Sequence, residues 1–229
     1  MNFLAIETAT ESCSVALWRD GQVSERSEIA PRRHAELVLP MAEALLDEAG
    51  LSRRRLDGVA VGRGPGAFTG VRLAVSLAQG LALGLDVPVV PVSSLAALAL
   101  EAPDNGAPVL AVIDARMGEV YTAGFRREGG GVVALTPEQV GSAQAVVLPF
   151  AAAWNVVGSG WDTYAAALSA RLPQAPRWAE GARYPQAAAV ARLAAPRFQA
   201  GESVAPELAL PVYLRDKVAL TLAEQGRGA

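Results

Sequence analysis

Apolar and polar positions at the start of the chain fall into short blocks. Phe3 to Glu7 and Cys13 to Trp18 read as strands, and Asp20-Gly21, between Trp18 and Gln22, is a hairpin signal leading into a third run that ends at Ile29. Three consecutive antiparallel strands are expected. From His34 to Ala49 the period becomes helical, with Val38, Met41, Leu45 and Ala49 on one stripe, Leu39, Ala42 and Leu46 on a neighbouring one, and Gly50 placed to cap the end. So broad an apolar surface exceeds one packed face. Pro40 removes a backbone donor, which is costly in a helix interior and cheap in the first turn, so the regular helix is expected to start near Leu39 or to bend there.

Leu56 to Val61 reads as a buried strand, followed by the glycine-rich loop from Gly62 to Gly70 and a helix from Val71 to Leu85 whose only polar side chains are Arg72, Ser76 and Gln79. Small residues recur on it every four positions, as Gly70, Ala74, Ala78, Ala82 and as Ser76, Gly80, Gly84. Such rows let two backbones approach closely. A helix apolar all round is expected to be buried on every side, and at ~1.5 Å per residue this one is too short for a bilayer, so protein should cover it. A strand over 87–92, a helix over 93–100 and a linker over 102–108 complete a βββαβαβα unit.

The pattern then restarts. Val109 to Asp114 parallels Phe3 to Glu7, an apolar run ending in a carboxylate; Glu119 to Phe125 supplies a second strand, and Arg127-Glu-Gly-Gly-Gly131 a hairpin turn. Trp154 to Gly160 opens a helix running from Trp161 to about Arg171, as the earlier strand and loop open theirs. Two diverged copies of one α/β unit are expected, one lobe over 1–104 and a second over 105–229, with the tail after about 206 packing back on the first.

Composition removes several functions. The 229 residues contain one histidine, His34, and one cysteine, Cys13, so a zinc site with two or more His or Cys ligands from this chain is excluded, together with Cys/His catalysis and internal disulfides. Lys217 is the only lysine among 20 basic residues, which leaves the glycine-rich loop without a P-loop lysine and a Schiff-base mechanism with one candidate near the C-terminus. A net charge of -3 and a pI near 5.3 argue against a dedicated nucleic-acid-binding domain. The arginines at 32, 33, 53, 54, 55, 63 and 72 are read as solvated loop and helix-end positions. With no signal peptide and no run of ~18 apolar residues, the expected setting is the cytoplasm, without membrane contact.

Two places could carry chemistry. The 62–70 loop, lying after a strand and before a helix, could close its backbone N–H groups on an anion, and Gly62, Gly64 and Ala67 match a dinucleotide spacing. The context opposes dinucleotide binding, because Pro65 removes a donor and the following strand ends in Ser93-Ser94 instead of the acid that would hold a ribose. At the N-terminus, Glu7 followed by Thr8, Thr10 and Ser12 could orient a metal-bound phosphate with Asp114 facing it, the arrangement of the actin, sugar-kinase and heat-shock ATPase superfamily. Equally, these hydroxyls could satisfy local backbone groups of a hairpin.

Read together, Ile6 to Leu17, His34 to Met41, Val61-Gly-Arg-Gly-Pro-Gly-Ala-Phe-Thr-Gly-Val-Arg72, Val92 to Leu95, Ile113-Asp-Ala-Arg-Met-Gly-Glu-Val-Tyr121 and Pro211-Val-Tyr-Leu-Arg215 closely resemble the TsaB (YeaZ) family, in order over essentially the whole chain. The resemblance implies a two-lobed actin-like fold. It also implies a non-catalytic dimerisation subunit in the making of threonylcarbamoyladenosine next to the tRNA anticodon, with catalysis in the paralogue TsaD and an ATPase, TsaE, joining the pair. The metal-binding HxxxH positions of that paralogue fall on Ser94 and Leu98, neither of which replaces a histidine. His34 is read as a helix-start or interface residue. Glu7 departs from the family's usual aspartate, and its extra methylene would disturb a metal site.

The resemblance places the partner surface on the two helices at about 34–49 and 71–85, used for TsaD and for self-association, with Leu39, Leu46, Ala74, Ala78 and Gly80 expected in or just beneath it. A large charged residue at Ala78 is then expected to abolish pairing without unfolding the chain. No cofactor of its own is expected; ATP or ADP with magnesium would bind only weakly, at the cleft around Glu7, Thr8, Thr10 and Asp114 or at an interface of the complex. tRNA would be met only through the complex. The competing reading is a stand-alone nucleotide-dependent phosphotransferase or ATPase, with Glu7 and Asp114 acting on magnesium.

Overall fold

A computed structural model describes residues 1–215, so Lys217 and the last part of the tail lie outside the described residues. The first unit comprises β1 (Asn2–Glu7), β2 (Ser12–Arg19), β3 (Gln22–Ile29), α1 (His34–Glu48), β4 (Gly58–Gly62), α2 (Phe68–Leu85), β5 (Val89–Val92) and α3 (Ser94–Ala99). The second comprises β6 (Val109–Arg116), β7 (Glu119–Glu128), β8 (Gly131–Ala134), β9 (Gln139–Ser142), β10 (Asn155–Val157), α4 (Ser159–Ser169), β11 (Trp178–Glu180) and α5 (Ala187–Gln199).

One sheet runs β3-β2-β1-β4-β5 and the other, from the corresponding edge, β8-β7-β6-β10-β11, with β9 added beside β7. In both, a three-stranded antiparallel meander is extended by two parallel strands. The expected duplication is therefore visible in strand order and direction. The middle of the first strand of each unit, Phe3 to Ile6 and Val109 to Ile113, is apolar without a break for a packing reason. In β1, Leu4 and Ile6 enter the core beneath α1 and α2, while Phe3 and Ala5 enter the core beneath α5. In β6, Val109, Ala111 and Ile113 face one core and Leu110 and Val112 the other. A strand covered on both faces cannot show alternation.

The middle of the molecule holds an exchange of helices. α3 lays Leu95, Leu98 and Ala99 on the second sheet, and α5 lays Ala187, Ala191 and Ala194 on the first. Each sequence half thus contributes its own sheet and gives its last helix to the other half. β9, β11 and α5 were not anticipated; the alanines at 187, 188, 191, 194 and 195, which allow α5 to lie close on the sheet, were the available sign.

Two expectations about the helices need correction. α1 starts at His34 and continues through Pro40, which is exposed, so the carbonyl that loses its partner can turn to water. It ends as expected at Gly50, whose φ of +58° permits hydrogen bonds from Gly50 N–H to Asp47 O (3.0 Å) and from Leu51 N–H to Leu46 O (2.9 Å). α2 is not buried on every side. Val71, Ala74, Val75, Ala78 and Ala82 face the core, whereas Ser76, Gly80, Leu83 and Gly84 are exposed. Among the described residues α2 is the one helix long and apolar enough, by length and composition alone, to cross a membrane, and in the fold its alanine row is packed on the sheet.

Candidate functional site

β1 delivers Glu7 into the most enclosed part of the first lobe. The side chain is fully buried; Ala9 N–H donates to Oε1 at 2.6 Å and Ser94 Oγ donates to Oε2 at 2.6 Å. Burial pushes the carboxyl up to about 7, against the opposing effect of hydrogen bonds from Ser94 and the backbone of Ala9 and Thr8. The glycine-rich loop closes on this hairpin. A Cβ at Gly62 would collide with the Glu7 carboxylate, one at Gly66 with the Ala9 carbonyl, and one at Gly70 with the Thr8 carbonyl. Thr8 Oγ1 donates to Gly70 O at 2.7 Å, and Ala67 N–H donates to Ala9 O at 2.7 Å. The glycines at 62, 66 and 70 serve close packing against the end of β1 and the hairpin after it.

Asp114 ends up in different surroundings. It accepts from Arg116 N–H at 2.8 Å and pairs with the Arg116 guanidinium at 3.1 Å, while Tyr164 OH donates to it at 3.5 Å. Arg116 also reaches across to Glu11 of the first lobe at 2.7 Å. Between the lobes lies a cleft of about 240 Å³ bordered by Thr10, Glu11, Phe68, Asp114, Arg116 and Tyr213. Glu7 does not border it. The two carboxylates are not brought to one shared space, and the residues present do not fit a magnesium-bound nucleotide held between Glu7 and Asp114. Thr10 Oγ1 accepts from Ser12 N–H at 3.4 Å and so satisfies a local group, whereas Thr8 Oγ1 bonds Gly70 O and Ser12 Oγ accepts from Gln186 Nε2 at 3.2 Å.

The two positions that the resemblance implies for the paralogue's metal ligands are committed to the interior. Ser94 is bonded to Glu7, and Leu98 is fully buried in the core of the second sheet. Among the described residues no three His, Cys, Asp or Glu side chains stand together as a metal site. His34 opens α1 with its carbonyl 4.0 Å from Cys13 Sγ.

The expected partner residues separate into two groups. Ala74 and Ala78 are fully buried and face the chain's own core, and Leu46 is 4% exposed. Ala78 is therefore no place for a charge that would spare the fold. Leu39 and Gly80 are exposed and border an apolar groove of about 290 Å³ between α1 and α2, with Gly84 and Leu85 on its rim. Nothing lies within 4 Å of a Cβ built at Gly80 or Gly84. Leu83, 62% exposed, stands beside them and was missed by the sequence reading, as were Glu11 and Arg116 at the cleft. Arg116 lies two residues after Asp114, so its neighbourhood was the available signal.

Comparison with known proteins agrees with this architecture. The protein-family model described as TsaD, tRNA N6-adenosine threonylcarbamoyltransferase, matches residues 26–222. The Escherichia coli K12 protein named tRNA threonylcarbamoyladenosine biosynthesis protein TsaB is 42% identical over 228 residues, covering 96% of each chain, and the Haemophilus influenzae protein of that name is 46% identical over 130 residues, covering 56% of this chain and 55% of that one. A Trichlorobacter lovleyi tRNA N6-adenosine threonylcarbamoyltransferase is 37% identical over 109 residues, covering 40% of this chain and 32% of its own. The solved structure of YeaZ from Pseudomonas aeruginosa superposes with a TM-score of 0.86 at 42% identity, covering 93% of this chain and 99% of that one. With its duplicated actin-like lobes and its end-to-end similarity to the Escherichia coli and Pseudomonas aeruginosa proteins, the chain belongs to the TsaB (YeaZ) family of tRNA threonylcarbamoyladenosine biosynthesis proteins.

Proposed function

We propose that the chain is the non-catalytic dimerisation subunit of the threonylcarbamoyladenosine-forming assembly, and that α1 and α2 dock a catalytic paralogue of the TsaD type. The observation that carries this reading is the open glycine pair on α2. A glycine in a helix interior costs roughly 0.5–1 kcal/mol relative to alanine, and neither Gly80 nor Gly84 has a positive φ or an intramolecular neighbour that would require it. A partner helix seated against Ser76, Gly80 and Gly84, with Leu39 and Leu83 flanking it, supplies the missing reason. The sealed Glu7 supports placing the chemistry in the partner.

In this reading TsaE joins the pair, tRNA is met only through the complex, and the isolated chain pairs with a second copy through the same face. The setting is the cytoplasm, without membrane contact. No cofactor belongs to this subunit, and any ATP or ADP with magnesium binds weakly at the cleft or at an interface of the complex. The test is co-purification with TsaD, followed by reconstitution of tRNA threonylcarbamoylation with and without this chain. Unchanged activity on omission would overturn the proposal, and ATP turnover by this chain alone would favour the stand-alone phosphotransferase.

A further inference from the structure

The segment after α5 belongs to neither sheet. Val204 pairs with Val89 at the edge of the first sheet, and residues 206–208 make a single turn against α2. Ala209 is buried in the first core and its carbonyl accepts from Gln79 Nε2 at 3.1 Å; Val212 N–H donates to Arg63 O at 2.9 Å. Arg72 Nε donates to Tyr213 OH at 2.6 Å, with the guanidinium carbon 3.4 Å from the centre of the Phe68 ring. Two residues later the chain is on the other lobe. Arg215 Nη2 donates to Ala115 O at 3.1 Å and pairs with Glu119, and Nη1 lies 3.9 Å from Met117 Sδ.

The turn that Arg215 grips has an unusual backbone. Arg116, Met117 and Gly118 have φ of +62°, +57° and +79° in succession, and two of these residues bear side chains that disfavour that region. From this turn Arg116 reaches back to Glu11, which closes a ring of contacts around the cleft. The Arg116 side chain is 71% exposed and a pair of that kind contributes little, whereas that of Arg215 is 20% exposed and makes several bonds at once.

We infer that residues 209–215 form an interlobe strap, anchored by Gln79, Arg63 and Arg72 in the first lobe and by Arg215 on the 115–119 turn of the second, that holds the lobes closed over the cleft. The strap supplies Val212 to Arg215 as one wall of that cleft, which is smaller than the roughly 300–1,000 Å³ of ordinary small-molecule pockets. It also joins the helix that carries Arg72 to the second lobe, so that the α1–α2 face and both sheets move as one body.

Amide hydrogen exchange on the full chain tests this. Arg215→Ala is expected to raise exchange on the order of tenfold in the 113–121 turn and also in the 8–12 hairpin across the cleft, with β4 and the α2 interior unchanged. Arg215→Lys, which keeps the charge and loses the multiple bonds, is expected to fall between. A response confined to 113–121, a uniform rise over the whole chain, or no change overturns the strap. Should Arg215→Ala fail to fold, Glu119→Gln weakens the same anchor and is read by the same criteria.

Discussion

Ser94 donates a 2.6 Å hydrogen bond to Glu7, and that contact joins the start of α3 to the end of β1 in the sealed interior of the first lobe. The glutamate arm reaches a serine and the pair makes a buried structural contact.

Glu7 should make stability depend on pH. Its folded pKa of about 7 lies above the usual 4.5, so between these values the folded state binds more protons than the unfolded one and stability falls as pH rises. The integrated effect is about 3 kcal/mol at most, reached above pH 7. Glu25 and Glu101, also raised by burial, tilt the curve in the same direction. Urea unfolding at pH 5 and pH 8 should show the protein more stable at pH 5, with a distinctly smaller difference in Glu7→Gln. An identical difference in the two proteins would show that Glu7 is not the source.

Glu7→Asp keeps the carboxylate, shortens its arm and separates structure from latent chemistry. Shortening the arm withdraws the carboxylate from Ser94 and leaves buried polar atoms under-bonded, at a cost of about 1–3 kcal/mol. A lowered midpoint in urea, with no phosphate released from ATP and magnesium, is expected. Turnover gained by this variant would contradict the assignment of Glu7 as structural.

Glycines in and around α2 should respond with opposite signs. Gly70→Ala forces a methyl group into the Thr8 carbonyl and should cost about 1–3 kcal/mol. Gly80→Ala meets nothing within 4 Å and should stabilise the isolated chain by about 0.5–1 kcal/mol. Thermal melts of the two variants suffice, and loss of stability in Gly80→Ala would point to an internal role for that glycine.

Charge placed on the two sides of α2 should separate folding from pairing. Ala78→Glu buries an unpaired carboxylate in the first core and should cost on the order of 3–5 kcal/mol, seen as loss of the cooperative melt. Leu83→Asp and Gly80→Leu act on the exposed face and should leave the melt near that of the parent chain while weakening TsaD capture at least roughly tenfold, as one misfitted interface centre can. Full capture by both variants would remove α2 from the interface.

Much of the architecture was legible along the chain. The hairpin dipeptide Asp20-Gly21, the cap at Gly50, the twin strands ending at Glu7 and Asp114 and the glycine run before α2 all express local chemistry with a strong period or a required conformation. Pro40 suggested too late a start for α1 because the cost of a missing donor depends on whether water can reach the orphaned carbonyl, which is a property of the surface and not of the residue. Short edge strands such as β9 and β11 have too few positions to show a period.

By itself the sequence determined the elements of the first unit and the opening strands of the second, the duplication, the absence of a His/Cys metal site and the family, because each follows from residue identity and spacing. Tertiary structure alone decided what those residues face. Helical spacing placed Ala78 and Gly80 on different rows of α2 and could not say which row meets the sheet; packing sent Ala78 inward and left Gly80 open. It likewise sealed Glu7 beneath Ser94 and left Asp114 beside Arg116, so two carboxylates alike in sequence context became unlike in chemistry. The cause is desolvation, which depends on what the other lobe and the returning chain cover.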